Sequence, residues 1–210
     1  MFDLLIRNAQ VLDGTGAPAY LADVAVKDGK IAAVGKIAGE AAETVDAAGL
    51  TLAPGFIDVH GHSDFFMPLD PARASKLLQG VTTELCGQCG LGPAPVTEQN
   101  YPVYHKYLSQ QGIRMYPDDR TFTSFSAYLS RMEKTPAGIN LAYFIPHGTV
   151  RLAVIGFSHD APDDRQLAQM RELVEDAMQA GALGLSTGLA YAPGRFAATD
   201  ELAALTEPVG

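Results

Sequence analysis

The sequence lacks tryptophan, and only two of its 210 residues are cysteine, Cys86 and Cys89. Two cysteines are too few for the disulfide framework of a small secreted protein, which favours a reducing compartment. The amino terminus carries an acid at Asp3 and lacks the basic-then-apolar order of a secretory signal. We therefore expect a cytoplasmic protein.

Basic residues are also scarce: 15 lysines and arginines stand against 24 acids, for a formal net charge of −9. No basic stripe is present that could neutralise phosphates, which excludes nucleic acid as an expected partner. The long uncharged stretch at residues 177–194 is interrupted by glycines, a proline and hydroxyl residues, so no membrane association is expected either. The oligomeric state is left open by the sequence.

The sequence does contain 47% hydrophobic residues, which is enough for a hydrophobic core. The pattern of apolar and polar residues changes near residue 50. Before that point, short β-prone runs at residues 4–6, 11–12, 24–26 and 31–34 are separated by turns. Asp13-Gly14 and Asp28-Gly29 are typical hairpin signals. These features predict a small β-meander, which we assign to a domain at residues 1–53.

Residues 54–210 alternate short apolar strands with helical patterns, which is typical of α/β proteins with a parallel sheet. Strands are predicted at residues 55–60, 82–86, 141–146 and 183–187. The clearest helix is predicted at residues 163–180, where apolar residues recur at three- and four-residue spacing. The stretch near residues 98–134 is rich in aromatic and polar residues and is interpreted as a decorated insertion with a partial helix at residues 124–132.

The strongest chemical signal is the run from Pro54 to Asp64, which contains His60 and His62. Alternate side chains of a strand share a face, so these two imidazoles should point the same way with Cα atoms roughly 6–7 Å apart. Two histidines at this spacing are a plausible part of a zinc site, although two surface histidines are the plain alternative. The apolar residues Phe56 and Ile57 before them indicate that the histidines lie at the end of a buried strand. Asp58 would lie on the same face of that strand as the histidines and could orient an imidazole.

This run resembles the first-strand signature of the amidohydrolase superfamily, and the N-terminal strands resemble part of the small β-sandwich those proteins carry. The resemblance implies a TIM-like (β/α)8 barrel. A complete barrel needs roughly 250 residues, so residues 54–210 suggest an incomplete barrel of about four strands. The resemblance also places two further metal histidines and the acid/base aspartate on later strands. We therefore expect a fragment with no catalytic residue of its own.

The second signal is the block from Gly80 to Gly92, which contains both cysteines. In isolation the Cys-x-x-Cys spacing allows a redox pair, half of a zinc knuckle, or no function. The glycines and prolines that follow cannot form the helix that a redox pair needs, and no second Cys or His pair completes a knuckle.

The block resembles the N-acyl-D-amino-acid deacylase branch, in which Gly-Val-Thr-Thr is followed by Gly-Asn-Cys-Gly with a metal-binding cysteine. That alignment implies that Cys89 is the ligand, that Gln88 replaces the usual asparagine, and that Cys86 belongs to the core. Hydantoinase-like members instead use a carboxylated lysine on a later strand, and residues 183–188 contain no lysine. The resemblance thus favours the cysteine branch.

Four further residues are candidates for substrate binding: Asp64, His147, Arg151 and Tyr191. His147 is predicted to end a strand on the catalytic face, Arg151 could hold a carboxylate, and Tyr191 could line an acyl pocket. Structural roles remain the alternative for each.

The function implied by the resemblance is hydrolysis of N-acyl-D-amino acids with one or two Zn²⁺ ions, for which the substrate is a small N-acyl amino acid. An amidohydrolase acting on a cyclic amide, like hydantoinase or dihydroorotase, and a non-catalytic remnant are the alternatives.

Overall fold

The computed structural model describes residues 1–66, 74–113 and 122–210. It divides into two compact units, Met1–Gly55 and Phe56–Gly210. Residues 114–121, which belong to the predicted insertion, lie outside the described residues. None of the helices in the described ranges has the length and apolar character needed to cross a bilayer.

The first unit is a single sheet of five strands. These are β1 (Phe2–Val11), β2 (Tyr20–Lys27), β3 (Lys30–Gly35), β4 (Ala41–Asp46) and β5 (Thr51–Leu52). Strands β2 and β3 form an antiparallel hairpin through Asp28 and Gly29, whose φ angles of 52° and 72° are those of a tight two-residue turn. The hairpin predicted at Asp28-Gly29 is confirmed.

The topology of this sheet differs from the predicted meander. The strand order is β3-β2-β1-β4, and both β4 and β5 pair with β1 in parallel. The connection predicted as a tight hairpin at Asp13-Gly14 spans residues 12–19. Glycine and aspartate indicate where a chain turns, but they do not specify which strand edge it returns to. One small core cluster packs on this sheet: Ala9, Val11, Ala22, Val24 and Ala47.

The second unit alternates strands and helices. Its strands are β6 (Phe56–Asp58), β7 (Val81–Cys86), β8 (Asn140–Tyr143), β9 (Ile145–Pro146) and β10 (Leu185–Ser186). Its helices are α1 (Ala74–Leu77), α2 (Tyr101–Gln110), α3 (Phe125–Met132), α4 (His147–Ile155), α5 (Asp164–Gln179) and α6 (Thr199–Thr206). Short 3-10 turns lie at Ser63–Phe65, Gly194–Phe196 and Glu207–Val209.

All strand pairs of the second unit are parallel, as the alternating pattern predicts. Strands β6, β7 and β8 form one sheet in that order, and β9 pairs with β10. The single strand predicted at residues 141–146 is interrupted at Phe144, where pairing passes from β7 to β10. The Phe144 N–H donates to the Cys86 carbonyl and the Ile145 N–H donates to the Gly184 carbonyl. The carboxyl ends of parallel strands therefore meet at one edge.

Helix α5 agrees with its predicted range of residues 163–180. Asp163 caps its first turn. The Asp163 carboxylate accepts a hydrogen bond from the Gln166 N–H at 2.7 Å, and the Gln166 side chain accepts one from the Asp163 N–H at 2.9 Å. This reciprocal pair satisfies two amides that the helix itself cannot. Its buried residues Met170, Val174 and Ala177 belong to one cluster of buried apolar side chains in the second unit, here called the main core. Cys86 of β7 belongs to the same cluster.

Candidate metal centre

The two histidines lie on a turn beyond β6, two and four residues after its last residue, Asp58. This corrects the strand predicted at residues 55–60. The Asp58 carboxylate accepts a hydrogen bond from the His60 backbone N–H at 3.1 Å, so Asp58 fixes the backbone of His60 rather than its imidazole. The rings of His60 and His62 stand edge to face with centroids 5.7 Å apart. Both imidazoles remain on one side of the turn.

Cys89 lies on the loop that follows β7, at the neighbouring strand end. Its φ of 58° places it in the left-handed region, between Gly87 at 74° and Gly90 at 65°. Residues with a Cβ adopt this conformation rarely, and mostly at sites held by surrounding structure. The loop thereby reverses tightly and presents the Cys89 side chain toward the histidine turn.

The three residues predicted as metal ligands meet at one point. The His60 Nε2 atom lies 3.2 Å from the Cys89 Sγ atom. One ligating atom from each of His60, His62 and Cys89 lies within 4.8 Å of the other two. These side chains come from two adjacent strand ends that the chain separates by 29 residues. The fold therefore assembles the cluster.

The chemistry of the cluster fits a zinc ion. The Nδ1 atom of His62 is buried and has no hydrogen-bond partner among the described residues. A bound cation, or a ligand carried by that cation, would supply the missing partner. Burial, followed by the nearby His60, lowers the pKa of His62, which keeps its imidazole in the neutral form that binds metals. Two imidazoles and a thiolate form a donor set that zinc favours.

A buried acid that the sequence analysis did not single out supports the histidine turn. Glu84, in the middle of β7, is fully buried and accepts hydrogen bonds from the Ser63 N–H at 3.1 Å and the Ser63 hydroxyl at 2.5 Å. Lys76 lies 3.7 Å from the Glu84 carboxylate and also pairs with Asp58. A charged residue inside an otherwise uncharged strand was the available signal, because a buried charge needs partners.

Asp64, which is predicted to bind substrate, joins the two loops of the cluster. It is 1% exposed, and its carboxylate accepts hydrogen bonds from the backbone N–H groups of Gly87 and Phe65, each at 3.1 Å. Burial raises its pKa to about 7. These two bonds give Asp64 a structural role between the loops, and its contact with substrate stays a prediction.

His147 and Arg151, two further candidates for substrate binding, lie on the same helix. His147 directly follows strand β9 and is the first residue of helix α4, and both side chains are completely buried. The His147 Nε2 atom lies 2.8 Å from the Glu201 carboxylate, and Arg151 forms an ion pair with the same carboxylate. Arg151 also donates to the Asp160 carbonyl at 2.6 Å. The carboxylate that Arg151 holds is thus the protein's own.

Tyr191 is 40% exposed and lies on the loop after β10. Its backbone N–H donates to the Gly188 carbonyl at 3.1 Å. Gly188 packs so closely on the cysteine loop that a Cβ there would stand 1.9 Å from the Cys89 carbonyl oxygen. Tyr191 therefore belongs to a loop that borders the cluster, and its contact with substrate stays a prediction.

The chain is similar to known proteins in sequence. The sequence profile of the amidohydrolase family matches residues 43–208. The D-aminoacylase of Alcaligenes xylosoxydans xylosoxydans is 38% identical over 209 residues, which cover 99% of this chain and 42% of that protein.

Two solved structures are similar over nearly the whole chain. The N-acyl-D-glutamate deacylase of Bordetella Bronchiseptica, complexed with zinc and a phosphonate that mimics the tetrahedral intermediate, has a TM-score of 0.87 and 36% identity. That match covers 97% of this chain and 42% of the other. A D-aminoacylase structure determined to study its binuclear metal center has a TM-score of 0.88 and 35% identity, covering 100% and 43% of the two chains. The present chain therefore spans less than half the length of these relatives.

Proposed function

Because this chain belongs to the amidohydrolase family, we propose that it forms the metal-binding first part of an enzyme that hydrolyses the amide bond of N-acyl-D-amino acids. The products would be a D-amino acid and a carboxylate. The observation that carries the proposal is the convergence of His60, His62 and Cys89 within 4.8 Å.

His60, His62 and Cys89 would hold one of the one or two zinc ions that we propose for the site. Zinc bound by such ligands polarises an amide carbonyl and lowers the pKa of a bound water from 15.7 to about 7. The protein's contribution is to hold the ligands in place before the metal arrives. Asp58 fixes the His60 backbone, and Glu84 fixes the backbone and hydroxyl of Ser63, next to His62.

We also propose that the second unit is the first part of a (β/α)8 barrel and that the first unit is part of a β-sandwich. Strand β6 pairs in parallel with β7, β7 with β8, and β9 with β10. The β6 side chains Phe56 and Ile57 are each 63% exposed. Apolar side chains this exposed are consistent with further chain packing against them. The family resemblance assigns the acid/base aspartate and further metal histidines to later strands. Residues 1–210 alone should therefore bind metal without hydrolysing substrate.

A cyclic amide as substrate is the weaker alternative. Hydantoinase-like chemistry requires a carboxylated lysine, and the strand predicted to carry it, β10, contains only Leu185 and Ser186. Lys76, the lysine described near the histidine turn, is engaged by Asp58 and Glu84. The thiol of Cys89 occupies the cluster instead.

A chimera tests the proposed activity. Residues 1–210 would replace the matching segment of the D-aminoacylase that is 38% identical, and amino acid release would be followed by chiral chromatography. We expect hydrolysis of N-acetyl-D-amino acids with little activity on the L-enantiomers. The same chimera carrying His60→Ala and His62→Ala should be inactive. A folded chimera that acts on hydantoin or dihydroorotate but not on N-acetyl-D-amino acids would contradict the proposal.

A further inference from the structure

The loop that carries Cys89 is tied to a strand that lies 96 residues further along the chain. We propose that Ser186, the last residue of β10, is a positioning residue that directs the Cys89 thiolate at the metal. This inference rests on the proposed metal site at His60, His62 and Cys89.

The hydroxyl of Ser186 makes two hydrogen bonds to the cysteine loop. The Ser186 Oγ atom accepts a hydrogen bond from the Gly90 N–H at 3.2 Å and donates one to the Gly87 carbonyl. Gly87 and Gly90 flank the two-residue segment of Gln88 and Cys89. Ser186 therefore holds both ends of the short reversal that carries the Cys89 thiol.

The conformation of the loop explains why it must be held. Cys89 has a φ of 58°, in the left-handed region, where its Cβ crowds the following carbonyl oxygen. Such a conformation persists only where neighbouring groups impose it. Without the Ser186 hydroxyl, the segment from Gly87 to Gly90 would lose two of the hydrogen bonds that oppose its relaxation toward ordinary backbone angles.

The remaining neighbours hold the loop from other sides. The Asp64 carboxylate accepts the Gly87 N–H at 3.1 Å, so Gly87 is bound at its N–H by Asp64 and at its carbonyl by Ser186. The Gln88 side chain donates to the Val59 carbonyl at 2.9 Å, next to His60. These contacts face the histidine turn, whereas Ser186 supplies the hydrogen bonds from β10.

Cobalt binding measures this positioning directly. The purified chain would be titrated with Co²⁺ alone, and the near-ultraviolet thiolate-to-cobalt charge-transfer absorption would be recorded per bound ion. Removal of residues that orient metal ligands typically weakens affinity about 10- to 100-fold. Ser186→Ala should weaken Co²⁺ binding at least about ten-fold on the same basis and reduce the charge-transfer absorption.

Ser126→Ala is the matched control, because it removes a half-buried hydroxyl that bonds Asp176 at 2.9 Å, away from the cluster. It should leave the cobalt spectrum unchanged even where thermal stability falls. If Ser186→Ala does not fold, Ser186→Thr and Ser186→Val provide a pair of nearly equal shape in which threonine alone keeps the hydroxyl. Threonine should retain the absorption and valine should lose it.

Equal spectra and affinities for the wild type and Ser186→Ala, or for the threonine and valine variants, would overturn the role of Ser186. The failure of the metal site itself has a different signature. In that case Cys89→Ala would bind Co²⁺ with the affinity and the spectrum of the wild type.

Discussion

Replacing Cys89 with alanine is expected to lower the zinc affinity of the chain by at least about 100-fold, because even residues that only orient ligands contribute 10- to 100-fold. The thiol of Cys89 lies 3.2 Å from the His60 Nε2 atom and supplies the sulfur of the cluster. Two histidines alone leave an incomplete site with weak affinity. Competition with a chromophoric zinc chelator measures the change.

Cys86→Ala is the control for this substitution. Cys86 lies three residues earlier, is completely buried in the main core, and does not belong to the ligand cluster. Burial raises the pKa of its thiol far above neutrality, so it remains protonated and a poor metal ligand. We expect Cys86→Ala to lower the free energy of unfolding while zinc affinity stays unchanged. Loss of affinity in Cys86→Ala with none in Cys89→Ala would reverse the assignment.

Replacing Glu201 with alanine is expected to lower the free energy of unfolding by about 3–5 kcal/mol, as measured by urea denaturation. The carboxylate of Glu201 bonds the His147 imidazole at 2.8 Å and pairs with Arg151, and both partners are completely buried. Removing the carboxylate leaves the Arg151 charge without its counter-ion inside the protein. The desolvation of that charge is then no longer compensated.

An exposed ion pair provides the comparison. Arg171 and Glu207 are joined at 2.7 Å, with 38% and 61% of their side chains exposed. Solvent screens such pairs, so Glu207→Ala should change the unfolding free energy by only about 0–1 kcal/mol. If Glu201→Ala were no more destabilising than Glu207→Ala, the buried network of Glu201, His147 and Arg151 would not stabilise the fold.

Acid titration checks the same network. Burial by itself would raise the pKa of Glu201, but hydrogen bonds from His147 and Arg151 outweigh burial and lower the pKa below its ordinary value of 4.5. A carboxylate with a depressed folded-state pKa stabilises the protein above its unfolded-state pKa, and that stability is lost as pH falls through the folded-state value. The wild type should therefore lose stability on acidification below pH 4.5. Glu201→Gln should lack this component.

The histidine pair was predictable from the sequence because its pattern is local, whereas Cys89 was implied by the resemblance to the deacylase branch. The alternation of His60 and His62 occupies three consecutive residues, but the Cys-x-x-Cys spacing alone does not distinguish Cys89 from Cys86 as the ligand. Parallel strands then bring their carboxyl ends to one edge, which joins two local signals into one site. The parallel α/β arrangement was predictable for the same reason.

The supporting residues were not predictable in this way, because their partners are distant in sequence. Glu201 bonds His147 and Arg151 across 54 and 50 residues, and no local pattern relates them. Helix α4 begins at a Gly-Thr-Val stretch of low helix propensity, yet Thr149 is fixed there by its hydroxyl bond to the Ala94 carbonyl at 2.8 Å. The burial of Asp64 was not predictable either, because its spacing from His62 does not reveal how deep it lies.

The most direct test of the metal site is zinc K-edge X-ray absorption on the purified chain loaded with one equivalent of Zn²⁺. The site predicts one sulfur at about 2.3 Å together with imidazole nitrogens at about 2.0–2.1 Å, and loss of the sulfur in Cys89→Ala. A wild-type spectrum with only nitrogen and oxygen neighbours, or a sulfur that persists in Cys89→Ala, would contradict the assignment of His60, His62 and Cys89 as the metal centre.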